Sequence, residues 1–254
     1  MDRLSAAGRS LEYALIPAER PDRPTIVMLH EGLGSLALWK DFPQKLAEAT
    51  GCGVLAYSRY GYGGSERLGE SRGVDYMHRE ALKSLPEVLA GLGIEDPVLF
   101  GHSDGASIAL IYAGSDRVPK PRGLVLMAPH VFVEELTVES IAAAKKVYAT
   151  TDLGKKLGRY HDDPDSTFWG WNDIWLLPDF LDWNIEEYLP RIACPTLVIQ
   201  GADDEYGTLK QVEAIERQVS GPSEQLILPD CKHSPHRDQE AATLDAAARF
   251  LDTL

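Results

Sequence analysis

Cysteine is scarce in this sequence, with three among 254 residues: Cys52, Cys194 and Cys231. Their number is odd, their spacing is irregular and no Cys-x-x-Cys pair occurs, so neither a zinc knuckle nor a thiol redox motif is supported. Cys52 and Cys194 each stand at the start of a predicted strand, where we interpret them as small buried hydrophobic residues. A chain of this length buries a core without disulfide or metal cross-links.

Long apolar segments are also missing. No run approaches the roughly 20 residues that a helix needs to cross a bilayer, and residues 1–17 lack the extended apolar region of a secretory signal. We therefore expect a cytoplasmic protein without membrane contact. The length favours one α/β domain, and 44% hydrophobic with 25% charged residues is typical of a globular protein.

Positively charged residues are few: the sequence has 25 Lys and Arg residues and 39 Asp and Glu residues, which gives a formal net charge of −14. Such a surface repels phosphate backbones and anionic membranes, so we expect no nucleic-acid partner. The charge favours solubility and, weakly, a neutral or cationic small molecule. We expect the protein to be a monomer or a homodimer.

The sequence does contain short apolar runs that alternate with helical patterns. Runs that are continuously apolar are typical of strands covered on both faces, as in a parallel sheet. The predicted strands are Thr25–Leu29, Gly53–Tyr57, Val98–Phe100, Leu124–Met127, Thr196–Ile199 and Gln225–Leu228, with Ser10–Ile16 as an antiparallel edge strand. The predicted helices are Leu36–Ala49, Tyr76–Leu92, Ser103–Ala113, Leu209–Val219 and Glu240–Leu251. This alternation predicts a doubly wound α/β sheet.

One segment, residues 131–189, breaks the alternation. It shows helical pattern and aromatic residues but no strand signal, and it is too long for a plain connection. We interpret it as a helical insertion over one end of the sheet, which divides the core domain into residues 1–130 and 190–254. Its tryptophans, four of the five in the chain, are Trp169, Trp171, Trp175 and Trp183. They either line an apolar pocket or pack the core of the insertion itself.

The most informative motif is Gly101-His102-Ser103-Asp104-Gly105, which stands between an apolar strand and a helical run rich in small residues. In this strand–turn–helix context, Gly-x-Ser-x-Gly is typical of a nucleophile turn. The turn is so tight that the serine backbone is strained and side chains at the two glycine positions would clash with neighbouring backbone. We predict that the Ser103 hydroxyl stands at a helix N-terminus, which favours developing negative charge.

A serine hydroxyl needs a base to accept its proton, and histidine performs that role near neutral pH. Two histidines, His233 and His236, follow the last predicted strand. We favour His233, because it lies nearer the end of that strand. Pro235 is expected to begin the final helix, which would place His236 in the first helical turn.

A carboxylate must in turn orient the histidine. We expect it directly after the strand that precedes the histidine segment, where Asp203, Asp204 and Glu205 stand in a row. The Gly-x-x-Asp spacing favours Asp204, with Asp203 and then Glu205 as alternatives. The remaining carboxylates are interpreted as solvated or helix-capping groups.

Acyl transfer also needs hydrogen-bond donors for the carbonyl oxygen as it becomes anionic. We predict that one donor is the backbone N–H of Asp104. The second is assigned to Gly32, with Glu31 as the alternative, in the glycine-rich loop that follows the strand Thr25–Leu29. Ser35 in the same loop is a candidate helix cap, a role compatible with either choice.

Together these motifs resemble the α/β-hydrolase superfamily over nearly the whole chain. The matching segments are His30–Ser35, Ser58–Ser65, Gly101–Gly105, Gly201–Asp204 and His233. The resemblance implies a mostly parallel eight-stranded sheet, a helical cap corresponding to residues 131–189, and no metal or organic cofactor. It also implies a serine hydrolase that works through Ser103, Asp204 and His233.

Two positions depart from many members of that superfamily, namely Glu31 after the first-loop histidine and Asp104 after the nucleophile. An aspartate in the second position resembles hydrolases of amino-acid esters, in which such a carboxylate can hold an ammonium group. One hypothesis is therefore a cationic substrate, and the other is that both carboxylates bond to nearby arginine or backbone groups. The candidate substrate-binding residues are Glu31, His130, Trp171 and Trp175.

The predicted function is hydrolysis of a carboxylic ester, or a related acyl bond, of a small molecule through an acyl-enzyme intermediate. Thioester, lactone and carbon–carbon bond hydrolysis use the same groups, and a fold does not distinguish them. Haloalkane dehalogenation is disfavoured, because that chemistry needs a carboxylate at position 103. A catalytically silent binding protein is the alternative of another class, and the intact serine, acid and histidine argue against it.

Overall fold

The computed structural model describes residues 1–254 and contains one eight-stranded sheet with helices on both faces. The strands are β1 (Asp2–Ala6), β2 (Arg9–Ile16), β3 (Thr25–Leu29), β4 (Gly53–Tyr57), β5 (Val98–His102), β6 (Gly123–Met127), β7 (Thr196–Gly201) and β8 (Ser223–Leu228). Their order across the sheet is β1-β2-β4-β3-β5-β6-β7-β8. The prediction of a mostly parallel eight-stranded α/β sheet is confirmed.

Strands β3 to β8 are parallel to one another, whereas β2 is antiparallel to both of its neighbours, β1 and β4. The prediction that Ser10–Ile16 forms an edge strand is wrong, because β2 pairs with β4 on one side and with β1 on the other. The true edge is β1, whose sequence DRLSA is mostly exposed. It carries no apolar run because an edge strand facing water has little to bury.

The helices are α1 (Phe42–Thr50), α2 (Tyr76–Arg79), α3 (Leu85–Gly91), α4 (Asp104–Gly114), α5 (Glu135–Thr150), α6 (Leu153–Leu157), α7 (Pro164–Trp175), α8 (Leu209–Gln218), α9 (Pro235–Asp238) and α10 (Glu240–Leu251). Short 3₁₀ turns cover Ala37–Trp39, Pro178–Phe180 and Glu186–Arg191. None of the helices combines the length and the apolar character that crossing a bilayer requires.

Two predicted helices are irregular in the structure. The helix expected over 36–49 is split at Lys40, whose φ of 55° lies in the left-handed region. The helix expected over 76–92 is continuous but widens to a π-helical stretch at Glu80–Ser84. Pro86 lies two residues after this stretch and lacks the N–H that a regular α-helical bond to residue 82 requires, which explains the wider turn.

The sheet is buried on both faces, which explains the continuous apolar runs of its parallel strands. One layer of 38 buried hydrophobic residues lies on the face covered by α2 to α4 and α8. A second layer of 22 lies on the face covered by α1 and α10. Because β3, β5, β7 and β8 run in parallel, the loops that follow them all lie at the carboxyl ends of the strands. Every candidate catalytic residue lies in these loops or directly beside them.

Candidate active site

Ser103 occupies a tight turn between β5 and α4. Its backbone has φ 53° and ψ −118°, a left-handed conformation that is strained for a residue with a side chain. A Cβ atom at Gly101 would lie within 3.0 Å of the backbone of Gly105 and Ala106, and one at Gly105 would lie within 3.0 Å of the Leu29 carbonyl. Gly101 is therefore required for β5 to pack against the start of α4, and Gly105 is required for α4 to pack against β3.

The structure brings Ser103, His233 and Asp204 together. The Ser103 Oγ atom lies 2.9 Å from Nε2 of His233. The other ring nitrogen of His233, Nδ1, lies 2.9 Å from each carboxylate oxygen of Asp204. These distances allow the serine proton to pass to the imidazole while the carboxylate fixes the ring and its tautomer.

His236, the alternative base, does not reach the serine. It lies in α9, as expected for the first helical turn, and its ring packs 4.9 Å from that of Trp39. Burial lowers the pKa of His236 to about 3, so this imidazole stays neutral near physiological pH. His236 thus contributes packing rather than a base.

Asp204 is set apart from its neighbours Asp203 and Glu205 by burial, since both neighbours are exposed. Its Oδ1 accepts hydrogen bonds from the backbone N–H groups of Tyr206, at 2.8 Å, and Gly207, at 3.2 Å. Its Oδ2 accepts one from the Gln200 amide at 2.7 Å. Sequence reasoning missed Gln200, although a glutamine at the end of an otherwise apolar strand is the signal that could have revealed it.

His233 and Asp204 each shift the pKa of the other. Burial alone would lower the pKa of His233, but the charge of Asp204 and the hydrogen bond to it outweigh burial and raise that pKa above its ordinary value. Burial would likewise raise the pKa of Asp204, yet the charge of His233 and the hydrogen bonds to the carboxylate lower it. The pair is therefore suited to stabilise an imidazolium during proton transfer.

Two backbone N–H groups near Ser103 have no acceptor within the protein. They belong to Gly32 and to Asp104, the first residue of α4. The loop that carries Gly32 is held by the buried guanidinium of Arg59, which donates to the carbonyls of His30 at 3.1 Å and Glu31 at 3.0 Å. Sequence reasoning did not assign this role to Arg59. The arrangement leaves both N–H groups free to bind an anionic oxygen.

A cavity of about 140 Å³ opens over Ser103. All four candidate substrate-binding residues, Glu31, His130, Trp171 and Trp175, line it together with Ser103 and His233. Residues that the sequence did not single out also line it, namely Leu33, Thr137, Ile141 and Tyr206. The cavity wall is mostly apolar and aromatic, which suits a small organic group.

The remaining two tryptophans of the segment between β6 and β7 do not line this cavity. Trp169 packs edge-on against Tyr148, and Trp183 stacks on Phe180 with ring centres 5.4 Å apart. Both alternatives considered for the tryptophans therefore occur. Two of them face the cavity, and two pack the helical segment.

The carboxylates of Asp104 and Glu31 both have partners inside the protein. Asp104 is 1% exposed, accepts a hydrogen bond from the Tyr76 hydroxyl at 2.8 Å and lies 3.7 Å from the Arg59 guanidinium. Glu31 lies 3.3 Å from the ring nitrogen Nδ1 of His102. Asp104 thus lies near an arginine, as the second hypothesis expects, whereas Glu31 bonds to a histidine rather than to an arginine or a backbone group.

His130 lines the cavity as a neutral ring. Its ring centre lies 5.3 Å from that of Trp175 and 5.7 Å from that of His233. Burial lowers the pKa of His130 to about 4. Its Nδ1 is buried, has no hydrogen-bond partner within the protein and lies beside Gly207. No three His, Cys, Asp or Glu side chains converge in a way that could hold a metal ion.

The comparison with protein families identifies the class. The family model described as "Alpha/beta hydrolase family" matches residues 26–246. The chain therefore belongs to the α/β-hydrolase family.

Similar curated proteins are proline iminopeptidases. The one from Saccharolobus solfataricus is 24% identical over 287 residues, which cover 96% of this chain and 90% of that protein. The one from Lactobacillus delbrueckii subsp. lactis is 32% identical over 100 residues, which cover 39% of this chain and 34% of that protein. The match to this second relative thus spans about a third of its length.

Similar folds include another proline iminopeptidase and an enol-lactonase. The crystal structure of proline iminopeptidase from Mycobacterium smegmatis has a TM-score of 0.77 at 16% identity and covers 99% of this chain and 97% of that chain. The enol-lactonase from Burkholderia xenovorans LB400 has a TM-score of 0.76 at 18% identity, with 99% and 100% covered. At such identities the likeness shows the fold alone.

Proposed function

We propose that this chain hydrolyses a carboxylic ester of a small molecule through an acyl-enzyme intermediate on Ser103. The observation that carries the proposal is the relay in which Ser103 Oγ lies 2.9 Å from His233 and His233 lies 2.9 Å from Asp204. A hydroxyl in this setting is an activated nucleophile. We also propose that residues 131–189 act as a cap, since Trp171 and Trp175 line the cavity over the serine.

The reaction begins when Ser103 Oγ attacks the ester carbonyl carbon and His233 Nε2 takes the hydroxyl proton. The carbonyl oxygen becomes an oxyanion, which the free N–H groups of Gly32 and Asp104 stabilise. Collapse of this intermediate breaks the bond to the alcohol, and His233 returns the proton to the departing oxygen. Water then repeats the sequence on the acyl-serine and releases the carboxylic acid.

The cavity favours a compact acyl group. A volume of about 140 Å³ is small beside the roughly 300–1,000 Å³ of pockets for drug-sized ligands. The indole rings of Trp171 and Trp175 supply apolar surface, and the His130 imidazole adds an aromatic ring to the cavity wall. We expect short-chain esters to react faster than long-chain esters.

A second candidate is the release of an N-terminal residue from a peptide. The relatives named proline iminopeptidase favour it, one of them over 96% of this chain. Amide cleavage needs the same serine, histidine and oxyanion donors, with an amine as the leaving group. Thioester, lactone and carbon–carbon bond hydrolysis use these groups too, and a silent binding protein uses none of them.

A panel of substrates assayed with wild type and Ser103→Ala tests the proposal. It contains nitrophenyl esters of increasing length, a thioester, a lactone, a β-diketone, and aminoacyl esters paired with the corresponding nitroanilides. We expect the short esters to react fastest and Ser103→Ala to lose at least about 10³-fold in kcat. Nitroanilides cleaved as fast as the matching esters would favour the peptidase, and folded protein inactive on every substrate would favour the binding protein.

A further inference from the structure

The imidazole of His102 joins two loops of the site without lining the cavity. The residue is completely buried in the turn next to Ser103. Its Nε2 lies 2.6 Å from the backbone carbonyl oxygen of His233, so the Nε2–H group donates to that carbonyl. The element that carries the serine therefore also holds the backbone of the histidine that faces the serine.

Glu31 holds the other side of the same ring. Its Oε2 lies 3.3 Å from Nδ1 of His102. Burial alone would raise the pKa of Glu31, but the hydrogen bond and the charge of His102 hold it well below its usual range. The carboxylate also packs on Gly34, where a Cβ atom would lie within 3.0 Å of it. Gly34 thus leaves the room that Glu31 needs to reach His102.

The backbone of His233 is held from two sides. Its N–H donates to Oε2 of Glu205 at 3.2 Å, and Glu205 is exposed to solvent. Its carbonyl accepts from His102 in the interior, where the bond is shielded from competition with water. His102 also packs edge-to-face on His236, with ring centres 5.0 Å apart, in the next helix.

We propose that His102 is a positioning residue for His233, anchored in turn by Glu31 from the loop that carries Gly32. This inference rests on the proposed function, in which His233 acts as the base. Glu31 contacts His102, and His102 contacts the carbonyl of His233. These two contacts connect the loop of Gly32, the turn of Ser103 and the loop of His233.

The geometry explains why such an anchor matters. The ring of His233 must lie within hydrogen-bond distance of Ser103 Oγ and of Asp204 at the same time, and each of those distances is 2.9 Å. A shift of about 1 Å in a reacting group can cost about 100-fold in rate. Because the anchor acts on the backbone of His233 and not on the substrate, its loss should lower kcat and leave KM nearly unchanged.

The test compares His102→Gln with His102→Leu in the full chain. Glutamine places an amide N–H near the position of Nε2, whereas leucine fills a similar volume without a donor. We expect His102→Leu to lose between about 10- and 100-fold in kcat on the best ester of the panel, with KM within about twofold of wild type. His102→Gln should recover most of kcat. Thermal unfolding of both variants checks that they are folded.

A second pair tests the anchor. Glu31→Gln keeps a hydrogen-bonding group beside Nδ1 of His102 and should retain more of kcat than Glu31→Ala, which should lose kcat in the same direction as His102→Leu. Equal losses in His102→Gln and His102→Leu, or a wild-type kcat in folded His102→Leu, would overturn the positioning role. Ser103→Ala assayed alongside separates the two proposals, because retained activity there would reject the proposed function itself.

Discussion

The indole ring of Trp171 lies against Gly32 so closely that no side chain fits between them. A Cβ atom at Gly32 would lie within 3.0 Å of Cδ1 and Nε1 of Trp171. The contact joins α7, in the segment between β6 and β7, to the loop whose free N–H is the proposed oxyanion donor. Trp171 thus forms one wall of the cavity and packs directly on Gly32, whose N–H would bind the reacting oxygen.

Gly32→Ala should therefore impair turnover more than stability. The new methyl group must displace either the indole or the loop, and either shift moves the N–H away from the oxyanion. We expect kcat/KM to fall by about 100-fold, the size of effect seen when one such donor is lost. Gly91→Ala is the matched control, because a Cβ there makes only an ordinary contact, 3.9 Å from a side-chain atom of Leu4. Steady-state kinetics with wild-type values for Gly32→Ala would contradict the assignment.

The pH dependence of kcat/KM should report the pairing of His233 with Asp204. His233 must be neutral to accept a proton, and its pKa is raised above the ordinary 6.5, so activity should fall as the pH drops through a value above 6.5. Asp204→Asn removes the charge that raises this pKa, and it should move the acid limb to lower pH.

The rate at the plateau should also fall in Asp204→Asn, by about 10⁴-fold if the tautomer is lost as it is in serine proteases. Asp203→Asn is the control, because Asp203 is exposed and its side chain forms no hydrogen bond in the structure. A pH profile that shifts in Asp203→Asn and not in Asp204→Asn would show that Asp204 is not the residue that orients His233.

Asp104→Asn separates a structural role of this carboxylate from a role in binding a cationic substrate. Asp104 lies 3.7 Å from the fully buried Arg59, and removing its charge leaves that guanidinium without this partner. We expect a loss of roughly 3 kcal/mol in the free energy of unfolding, measured with urea. The ratio of kcat/KM values for an aminoacyl ester and its neutral analogue should stay within about twofold of wild type. A selective loss of the aminoacyl ester would instead assign Asp104 to substrate binding.

Gly105→Ala should destabilise the fold itself. The added methyl group would lie within 3.0 Å of the Leu29 carbonyl, which belongs to a central strand and cannot easily move. Overpacking of this kind costs about 3 kcal/mol, which corresponds to roughly 6–12 °C in Tm for a chain of this size. Calorimetry that finds an unchanged Tm would show that the turn has more freedom than its geometry implies.

The parts of the fold that follow from local physics were predictable from the sequence. Buried parallel strands leave continuous apolar runs, and the helix over Glu240–Leu251 has the predicted bounds. Strand β1 was not predictable in this way, because an exposed edge strand has no apolar run. Since β1 occupies the edge of the sheet, Ser10–Ile16 lies one strand further in. The π-helical stretch at Glu80–Ser84 depends on how Pro86 is accommodated inside a longer helix.

Some residues of the candidate site could likewise be predicted from the sequence, and others could not. The residues that the structure brings together, Ser103, His233 and Asp204, each follow a predicted strand, so the sequence could place them at one edge of the sheet. The partners Tyr76, Arg59 and His102 could not be assigned, because their roles depend on contacts between residues far apart in the chain. Burial, which separates Asp204 from Asp203 and Glu205, is likewise a property of the folded chain.

The most direct test of the central claim is intact-protein mass spectrometry after reaction with a fluorophosphonate, followed by peptide mapping. The account predicts one adduct per chain, on Ser103, whose formation is abolished in Ser103→Ala and slowed at least about 10³-fold in His233→Ala. Folded wild-type protein that hydrolyses esters yet carries no adduct, or carries it on another residue, would contradict the assignment of Ser103 as the nucleophile.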